Sequence, residues 1–141
     1  MKGLVLSLIF PQNKLAMSSI TNKILLVEDD IDIKDNLKAF LEMENFEVTS
    51  VSNGKQAIEI LKNEGRPRLI LLDLMMPIMN GYEVLAEMKR ANLFQEIPIP
   101  IILLSAATDI EEIARQQVTK FVRKPIALDK LLQAIAEIYT T

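Results

Sequence analysis

The chain alternates between two hydrophobic patterns, one typical of buried strands and the other of amphipathic helices. Short runs that are almost entirely apolar, such as KILLV and RLILL, predict strands that are buried on both faces. Segments with apolar residues three and four positions apart predict helices with one buried side. The predicted strands are 23–27, 46–51, 68–73, 100–105 and 120–124, and the predicted helices are 31–44, 54–63, 81–90, 109–117 and 128–139.

Each predicted strand is followed by a predicted helix. This order indicates an α/β domain in which a mostly parallel sheet is covered by helices on both faces, with right-handed crossovers. Before Lys23 the chain has only a short apolar run, Leu4 to Phe10, which cannot span a bilayer. We therefore expect a poorly ordered leader at 1–22 and one domain at 23–141, with a weak signal peptide as the alternative for the leader.

The amino-acid composition limits the kinds of catalytic and metal site that this chain can form. The 141 residues include no cysteine and no histidine, which excludes disulfides, thiolate or imidazole metal ligands, Ser-His-Asp catalysis and a phosphohistidine on this chain. The net charge of −3 and the scattered basic residues give no basis for direct nucleic-acid binding. The lack of cysteine fits the cytoplasm, which is the location we expect.

Polar residues follow the predicted strands, and in an open parallel sheet the carboxyl ends of the strands meet at one edge, where sites form. Converging carboxylates repel one another, and a Mg²⁺ ion relieves that repulsion. A lysine and a hydroxyl at the same edge suit phosphoryl oxygens. The set predicts a Mg²⁺ site at which a carboxylate accepts a phosphoryl group. Its members are Glu28, Asp29, Asp30, Asp73, Ser105 and Lys124.

Each of these residues has an ordinary explanation when it is considered alone. An aspartate at a strand end is commonly a turn or cap residue, and the three adjacent acids at 28–30 suit a helix N-terminus. Phe121, taken alone, would be a core residue. The prediction depends on the combination of compatible groups at the tips of several strands.

The residues resemble the receiver domain of two-component response regulators, in the CheY-like superfamily, from about Lys23 to Tyr139. KILLVEDD is similar to the family's first strand and acidic cluster, and LILLDLMMPIMNGYE to its phospho-acceptor segment. IILLSA is similar to its fourth strand, and FVRKPIALDKLLQAI to its lysine-proline segment. The resemblance implies a flavodoxin-like fold of five parallel strands in the order 2-1-3-4-5.

The resemblance also implies a role for each matched position. Asp73 would be the phospho-acceptor, and Ser105 and Lys124 would contact the phosphoryl oxygens. Ser105 and Phe121 would move in the switch, with Phe121 turning inward on activation. The Lys124–Pro125 bond would be cis, as family members often have it.

For the metal, the resemblance implies Mg²⁺ held by four residues. Asp29 would be a direct ligand and Glu28 would act through water. The side chain of Asp73 and the backbone carbonyl of Met75 would complete the protein ligands. Asp30 would begin the first helix.

The implied function is a phosphorylation-dependent signalling switch. The donor would be a sensor histidine kinase or a histidine phosphotransfer protein, and the output would go to a downstream protein target. We expect a stand-alone regulator that is not an enzyme on other substrates, binds no nucleic acid directly and has no membrane span. The alternative interpretation is that the chain is a fragment of a larger hybrid protein.

Two alternatives belong to other classes. Gln117 and Val118 stand where the family usually has a Gly-Ala pair, and this departure favours an interaction module that works without phosphorylation. A small phosphatase with an aspartate nucleophile is the enzymatic alternative. Enzymes of the haloacid dehalogenase type carry a second aspartate two positions after the first, where this chain has Met75.

Overall fold

The computed structural model describes residues 22–106 and 120–140. Five strands pair in parallel in the order β2-β1-β3-β4-β5, which confirms the predicted fold and strand order. The predicted helix at 109–117, with the departures at Gln117 and Val118, lies outside the described residues, as do residues 1–21 of the leader. The elements are β1 (Lys23–Val27), α1 (Ile31–Met43), β2 (Glu47–Val51), α2 (Gly54–Asn63), β3 (Leu69–Asp73), α3 (Gly81–Arg90), β4 (Ile101–Ser105), β5 (Lys120–Arg123) and α4 (Leu128–Thr140).

Caps fix where the helices begin. The Asp30 carboxylate accepts a hydrogen bond from the backbone N–H of Ile33 at 3.1 Å, so Asp30 caps α1 as expected. Asn80 and Glu83 form a reciprocal capping box at the start of α3. In the described part of the chain, each element boundary lies within one residue of its predicted position. β5 ends at Arg123, one residue before its predicted end, so Lys124 lies just after the strand.

The core has two halves, one on each face of the sheet. Successive strand residues point to opposite faces, so Leu71 packs with α1 and α4, whereas Leu72 packs with α2 and α3. Every residue of β3 and β4 is buried, because both strands lie inside the sheet and beneath helices. The carboxyl end of β3 is therefore held rigidly. No helix in the two described ranges is long and apolar enough to cross a membrane.

The last turn of α4 contacts the amino edge of the sheet, at the opposite end of the strands from their carboxyl ends. The Tyr139 hydroxyl donates a hydrogen bond to the carbonyl oxygen of Arg68 at 2.6 Å, just before β3 begins. The Arg68 guanidinium lies 4.6 Å from the centre of the Tyr139 ring. Burial raises the pKa of the Tyr139 phenol, so this group stays protonated and can donate.

Candidate functional site

The acidic residues after β1 are held against the backbone. Glu28 is fully buried, and its backbone N–H donates to the carbonyl of Val51 in β2 at 3.1 Å. The Oε2 atom of Glu28 accepts a hydrogen bond from the backbone N–H of Asp30 at 3.2 Å. Asp29, between them, is partly exposed. One carboxylate is thus buried below the edge, and the next stands at the opening.

Asp73 lies at the end of β3 with only 1% of its surface exposed. Its Oδ1 atom accepts a hydrogen bond from the backbone N–H of Met75 at 3.3 Å. The same oxygen lies 3.2 Å from Nζ of Lys124, and that nitrogen lies 2.8 Å from Oε1 of Glu28. A single ammonium group therefore bridges two buried carboxylates.

Backbone contacts place Lys124 at this edge. Its backbone N–H donates to the carbonyl of Ser105 at 2.8 Å, which joins the exit of β5 to the end of β4. The Lys124–Pro125 peptide bond is cis, as expected from the resemblance. Burial favours the neutral amine. The hydrogen bond to Glu28 and the charges of Asp73 and Glu28 outweigh it and raise the pKa of Lys124. Ser105 itself is buried, at 2% exposure, beside this contact.

The Asp73 carboxyl has a strongly raised pKa, at about 8. Burial is the main cause, followed by proton sharing with the carboxylates of Glu28 and Asp29 and by the charge of Glu28. The Lys124 ammonium acts in the opposite direction but does not cancel these effects. Three carboxylates with one cation hold an excess of negative charge, which a second cation would balance.

The donor set fits a divalent ion. Carboxylate oxygens of Glu28, Asp29 and Asp73 all lie within 4.8 Å of one another. The Oδ2 atom of Asp73 is buried and accepts no hydrogen bond from any residue in the described ranges. Oxygen ligands of this kind suit Mg²⁺, which keeps several waters and needs only one or two carboxylates. The cluster is compatible with Mg²⁺ and with phosphorylation of an aspartate.

Close packing holds the loop that follows Asp73. The backbone N–H of Gly81 donates to the Leu74 carbonyl at 2.9 Å. A Cβ atom at Gly81 would lie 2.8 Å from the Asp73 carbonyl oxygen and 2.9 Å from Cα of Leu74, so a side chain would push the loop off β3. Within this loop, the side chain of Met75 is 66% exposed.

Two features of the site edge differ from what the residues suggested. Phe121 is 39% exposed on β5, so its interpretation as a core residue is wrong. Lys34 of α1 donates a hydrogen bond from its ammonium group to the Ser52 hydroxyl at 2.5 Å, at the end of β2. The sequence predicts no site residue at the end of β2, because a lysine on the polar side of a helix gives no sign of its partner.

Comparisons with known proteins agree with this geometry. A family model described as the response regulator receiver domain matches residues 24–136. The chain is 35% identical over 120 residues to the response regulator SaeR of Staphylococcus aureus, a match that covers 83% of this chain and 50% of SaeR. The chain thus spans about half the length of the curated relatives it matches.

Solved structures show the same architecture. The receiver domain of a Francisella response regulator superposes with a TM-score of 0.73 at 27% identity, covering 83% of this chain and 95% of that one. The Thermotoga maritima response regulator TrrA, solved in complex with Mg²⁺ and BeF, gives a TM-score of 0.68 at 28% identity, with 84% and 99% covered. With its strand order, its buried strand-end aspartate and its matched sequence, this chain belongs to the receiver domain family of two-component response regulators.

Proposed function

We propose that the chain is a phosphorylation-dependent switch in which Asp73 is the phospho-acceptor. The donor is the phosphohistidine of a sensor histidine kinase or of a histidine phosphotransfer protein, because this chain has no histidine of its own. The product, an aspartyl phosphate, changes the surface that a downstream protein binds. We place this activity in the cytoplasm and propose no turnover of other substrates.

One observation carries the proposal: a buried aspartate shares an ammonium group with a second carboxylate and has an oxygen without a partner. The 3.2 Å distance between Lys124 Nζ and Asp73 Oδ1 puts a cation where a phosphoryl oxygen would need one. Because Oδ2 of Asp73 accepts no hydrogen bond from the described residues, its lone pairs can bind a metal ion or attack phosphorus. Buried polar groups in a core are normally paired, so the oxygen without a partner indicates a site and not a packing role.

In the transfer, a carboxylate oxygen of Asp73 attacks phosphorus, the new O–P bond forms and the N–P bond of the donor breaks. The electron pair of that bond stays on the imidazole nitrogen of the donor. Lys124 stabilises negative charge on the transferring group, and the Ser105 hydroxyl at the next strand end is placed to donate to another oxygen. Mg²⁺, when held by the carboxylates of Glu28, Asp29 and Asp73, would supply positive charge that offsets the charge of the transferring group. The Mg²⁺–BeF complex of TrrA supports this assignment.

The switch follows from competition for Lys124. The added phosphoryl group carries nearly two negative charges and three acceptor oxygens. Lys124 then has a stronger partner than Glu28, and Ser105 moves toward the same group. Phe121 lies one strand away, partly exposed, and turns into the space that Ser105 leaves. These contacts differ between the two states, which is the condition for a population shift.

The test is phosphorylation by phosphoramidate with MgCl₂, followed by intact-mass measurement. Wild type should gain one phosphoryl group that hydroxylamine removes, and EDTA should prevent the gain. Asp73→Asn should gain none, whereas Asp35→Asn, an exposed control on α1, should react as wild type does. Labelling that persists in Asp73→Asn contradicts the assignment.

Two further measurements separate the alternatives. Steady release of phosphate from p-nitrophenyl phosphate would favour the phosphatase. Equal binding of a downstream protein with and without beryllofluoride would favour the interaction module that needs no phosphate.

A further inference from the structure

The segment that carries the acidic cluster is bonded to the end of β2 at two points. The first is the backbone hydrogen bond from the N–H of Glu28 to the carbonyl of Val51, at 3.1 Å. The second is the hydrogen bond from the ammonium group of Lys34 to the hydroxyl of Ser52, at 2.5 Å. Asp29 lies between these two contacts in the sequence, so its position at the site edge depends on both of them.

Both partners of the Lys34–Ser52 contact are held by their backbones. The backbone N–H of Lys34 donates to the carbonyl of Asp30 at 2.9 Å, which bonds Lys34 directly to the acidic segment. The backbone N–H of Ser52 donates to Oε1 of Gln56 in α2 at 2.8 Å. The contact between the two side chains therefore fixes the start of α1 relative to β2 and α2.

Lys34 contacts a neutral hydroxyl although acids surround it in the sequence. Asp30, Asp32 and Asp35 lie within four positions of it. Among the residues that the structure describes, Lys34 nevertheless forms no ion pair. The contact with Ser52 is thus set by the geometry of α1 and β2 and not by attraction between opposite charges, which is weak at exposed positions.

Asp29 is the carboxylate of the cluster that its own surroundings constrain least. It is partly exposed, whereas Glu28 and Asp73 are buried. Removing the groups that hold metal ligands in place typically weakens metal binding about 10- to 100-fold. Of the three carboxylates that lie within 4.8 Å of one another, Asp29 therefore depends most on the segment that carries it.

We propose that Lys34 is a positioning residue for the metal site and that it acts through Ser52. Their contact holds the acidic segment where the Asp29 carboxylate lies close to those of Glu28 and Asp73. This inference rests on the proposed function, in which Mg²⁺ assists phosphoryl transfer. Without the contact, phosphorylation of Asp73 requires a higher concentration of Mg²⁺.

The sign of the effect separates positioning from simple electrostatics. Lys34 carries a positive charge near a cation site, so removing that charge alone would tighten Mg²⁺ binding by relieving repulsion. Removing the support for Asp29 would weaken Mg²⁺ binding. Ser52→Ala removes the contact without a change in charge, whereas Ser52→Thr keeps the hydroxyl.

The test measures Mg²⁺ binding by isothermal titration calorimetry and phosphorylation by phosphoramidate over a range of Mg²⁺ concentrations. We expect Ser52→Ala to weaken Mg²⁺ binding about tenfold, at the low end of the range for groups that hold metal ligands. Lys34→Met should also weaken it, by a smaller factor because the lost charge acts in the opposite direction. Saturating Mg²⁺ should restore the wild-type rate of phosphorylation in both variants.

Two further variants test whether Lys34 acts through Ser52. Ser52→Thr should bind Mg²⁺ as wild type does. The double variant of Lys34→Met with Ser52→Ala should bind Mg²⁺ as Lys34→Met alone does, because Ser52 then has no ammonium partner to lose.

Lys38 is the matched control. It lies one turn later on α1 and is half-buried, as Lys34 is. Its ammonium group forms no hydrogen bond or ion pair with any residue in the described part of the chain. Lys38→Met removes the same charge from the same helix, and it should bind Mg²⁺ at least as tightly as wild type does.

Other outcomes overturn the proposal in distinguishable ways. Wild-type Mg²⁺ affinity in Ser52→Ala, or tighter binding in Lys34→Met, would show that the contact does not support the site. An equal loss in Lys38→Met would assign the effect to the helix as a whole. A rate that stays low at saturating Mg²⁺ would place the defect in the transfer chemistry. If wild type binds Mg²⁺ but gains no phosphoryl group, the proposed function fails, and the Mg²⁺ affinities still decide the positioning role.

Discussion

The ammonium nitrogen of Lys124 lies 2.8 Å from Oε1 of Glu28, a carboxylate with no exposed surface. A buried carboxylate without a cation is strongly unfavourable, so this contact stabilises the fold as well as forming part of the site. The same nitrogen lies only slightly farther from Asp73, at 3.2 Å. Folding and the proposed phosphoryl transfer therefore draw on the same positive charge.

Lys124→Met should destabilise the metal-free protein. The change leaves the buried Glu28 carboxylate without its cation, and we expect the free energy of unfolding to fall by about 2 kcal/mol, below the value for a fully buried pair because Lys124 is partly exposed. Urea denaturation at pH 7 in EDTA measures it. Lys120→Met is the control, since its contact with Glu137 is 3.3 Å long and exposed and should contribute less than about 1 kcal/mol. Equal losses in the two variants would contradict the prediction.

Asp73→Asn should stabilise the metal-free protein at neutral and alkaline pH. The pKa of Asp73 is raised to about 8 by burial and by neighbouring acids, well above its ordinary value. The folded state thus holds a proton that the unfolded state has lost, and wild type loses stability as the pH rises from about 4 to about 8. The Tm advantage of the variant in EDTA should grow over that window and then level off. Asp35→Asn should show no such growth, and an advantage independent of pH would contradict the assigned cause.

Mg²⁺ should raise the Tm of wild type, because an ion that binds only the folded state stabilises it. Asp29→Asn should lose most of that increase, since it removes one of three carboxylates within 4.8 Å. Asp30→Asn is a matched control, because asparagine also caps helices and should preserve α1. Thermal unfolding with MgCl₂ or EDTA measures both variants. A Mg²⁺ shift in Asp29→Asn as large as that of wild type would exclude Asp29 as a ligand.

A tryptophan at position 121 should report the switch. The chain has no tryptophan, and Phe121 is 39% exposed, so Phe121→Trp adds a single fluorophore at the surface. With Mg²⁺ and beryllofluoride its emission should shift to shorter wavelength as the ring turns inward. The double variant with Asp73→Asn should show no shift. Emission that stays unchanged in a protein shown to bind beryllofluoride would rule out the inward movement.

The hydrophobic pattern predicted the architecture well. Runs buried on both faces and helical spacing of apolar residues locate strands and helices directly, as at β3 and α2. The parallel sheet then brings strand ends to one edge, which is why Asp73 and Lys124 were expected together. The polar residues at the strand tips can thus be identified from the sequence alone.

The pairing of side chains could not be predicted from that pattern. Which carboxylate takes the shorter contact with Lys124 depends on side-chain conformations across three strands. The Lys34–Ser52 and Tyr139–Arg68 contacts join residues far apart in sequence, and each residue alone looks like an ordinary surface residue. Taken alone, Phe121 suggests a core residue because an aromatic residue in a strand usually faces a core, whereas the resemblance implies that it turns inward only on activation. The left-handed backbone of Ile78 runs against its residue preference, so no propensity could find it.

The hydrogen bond from Tyr139 to Arg68 sets the position of the last turn of α4 relative to the Asp73 carboxylate. Arg68 precedes β3 and Asp73 ends it, so the two lie about 16 Å apart along the strand. A fluorescent protein or an affinity tag fused after α4 would lie on the side of the molecule opposite Asp73. Such a fusion should leave the proposed phosphoryl transfer to Asp73 at its normal rate, so the position after α4 suits reporters and immobilisation.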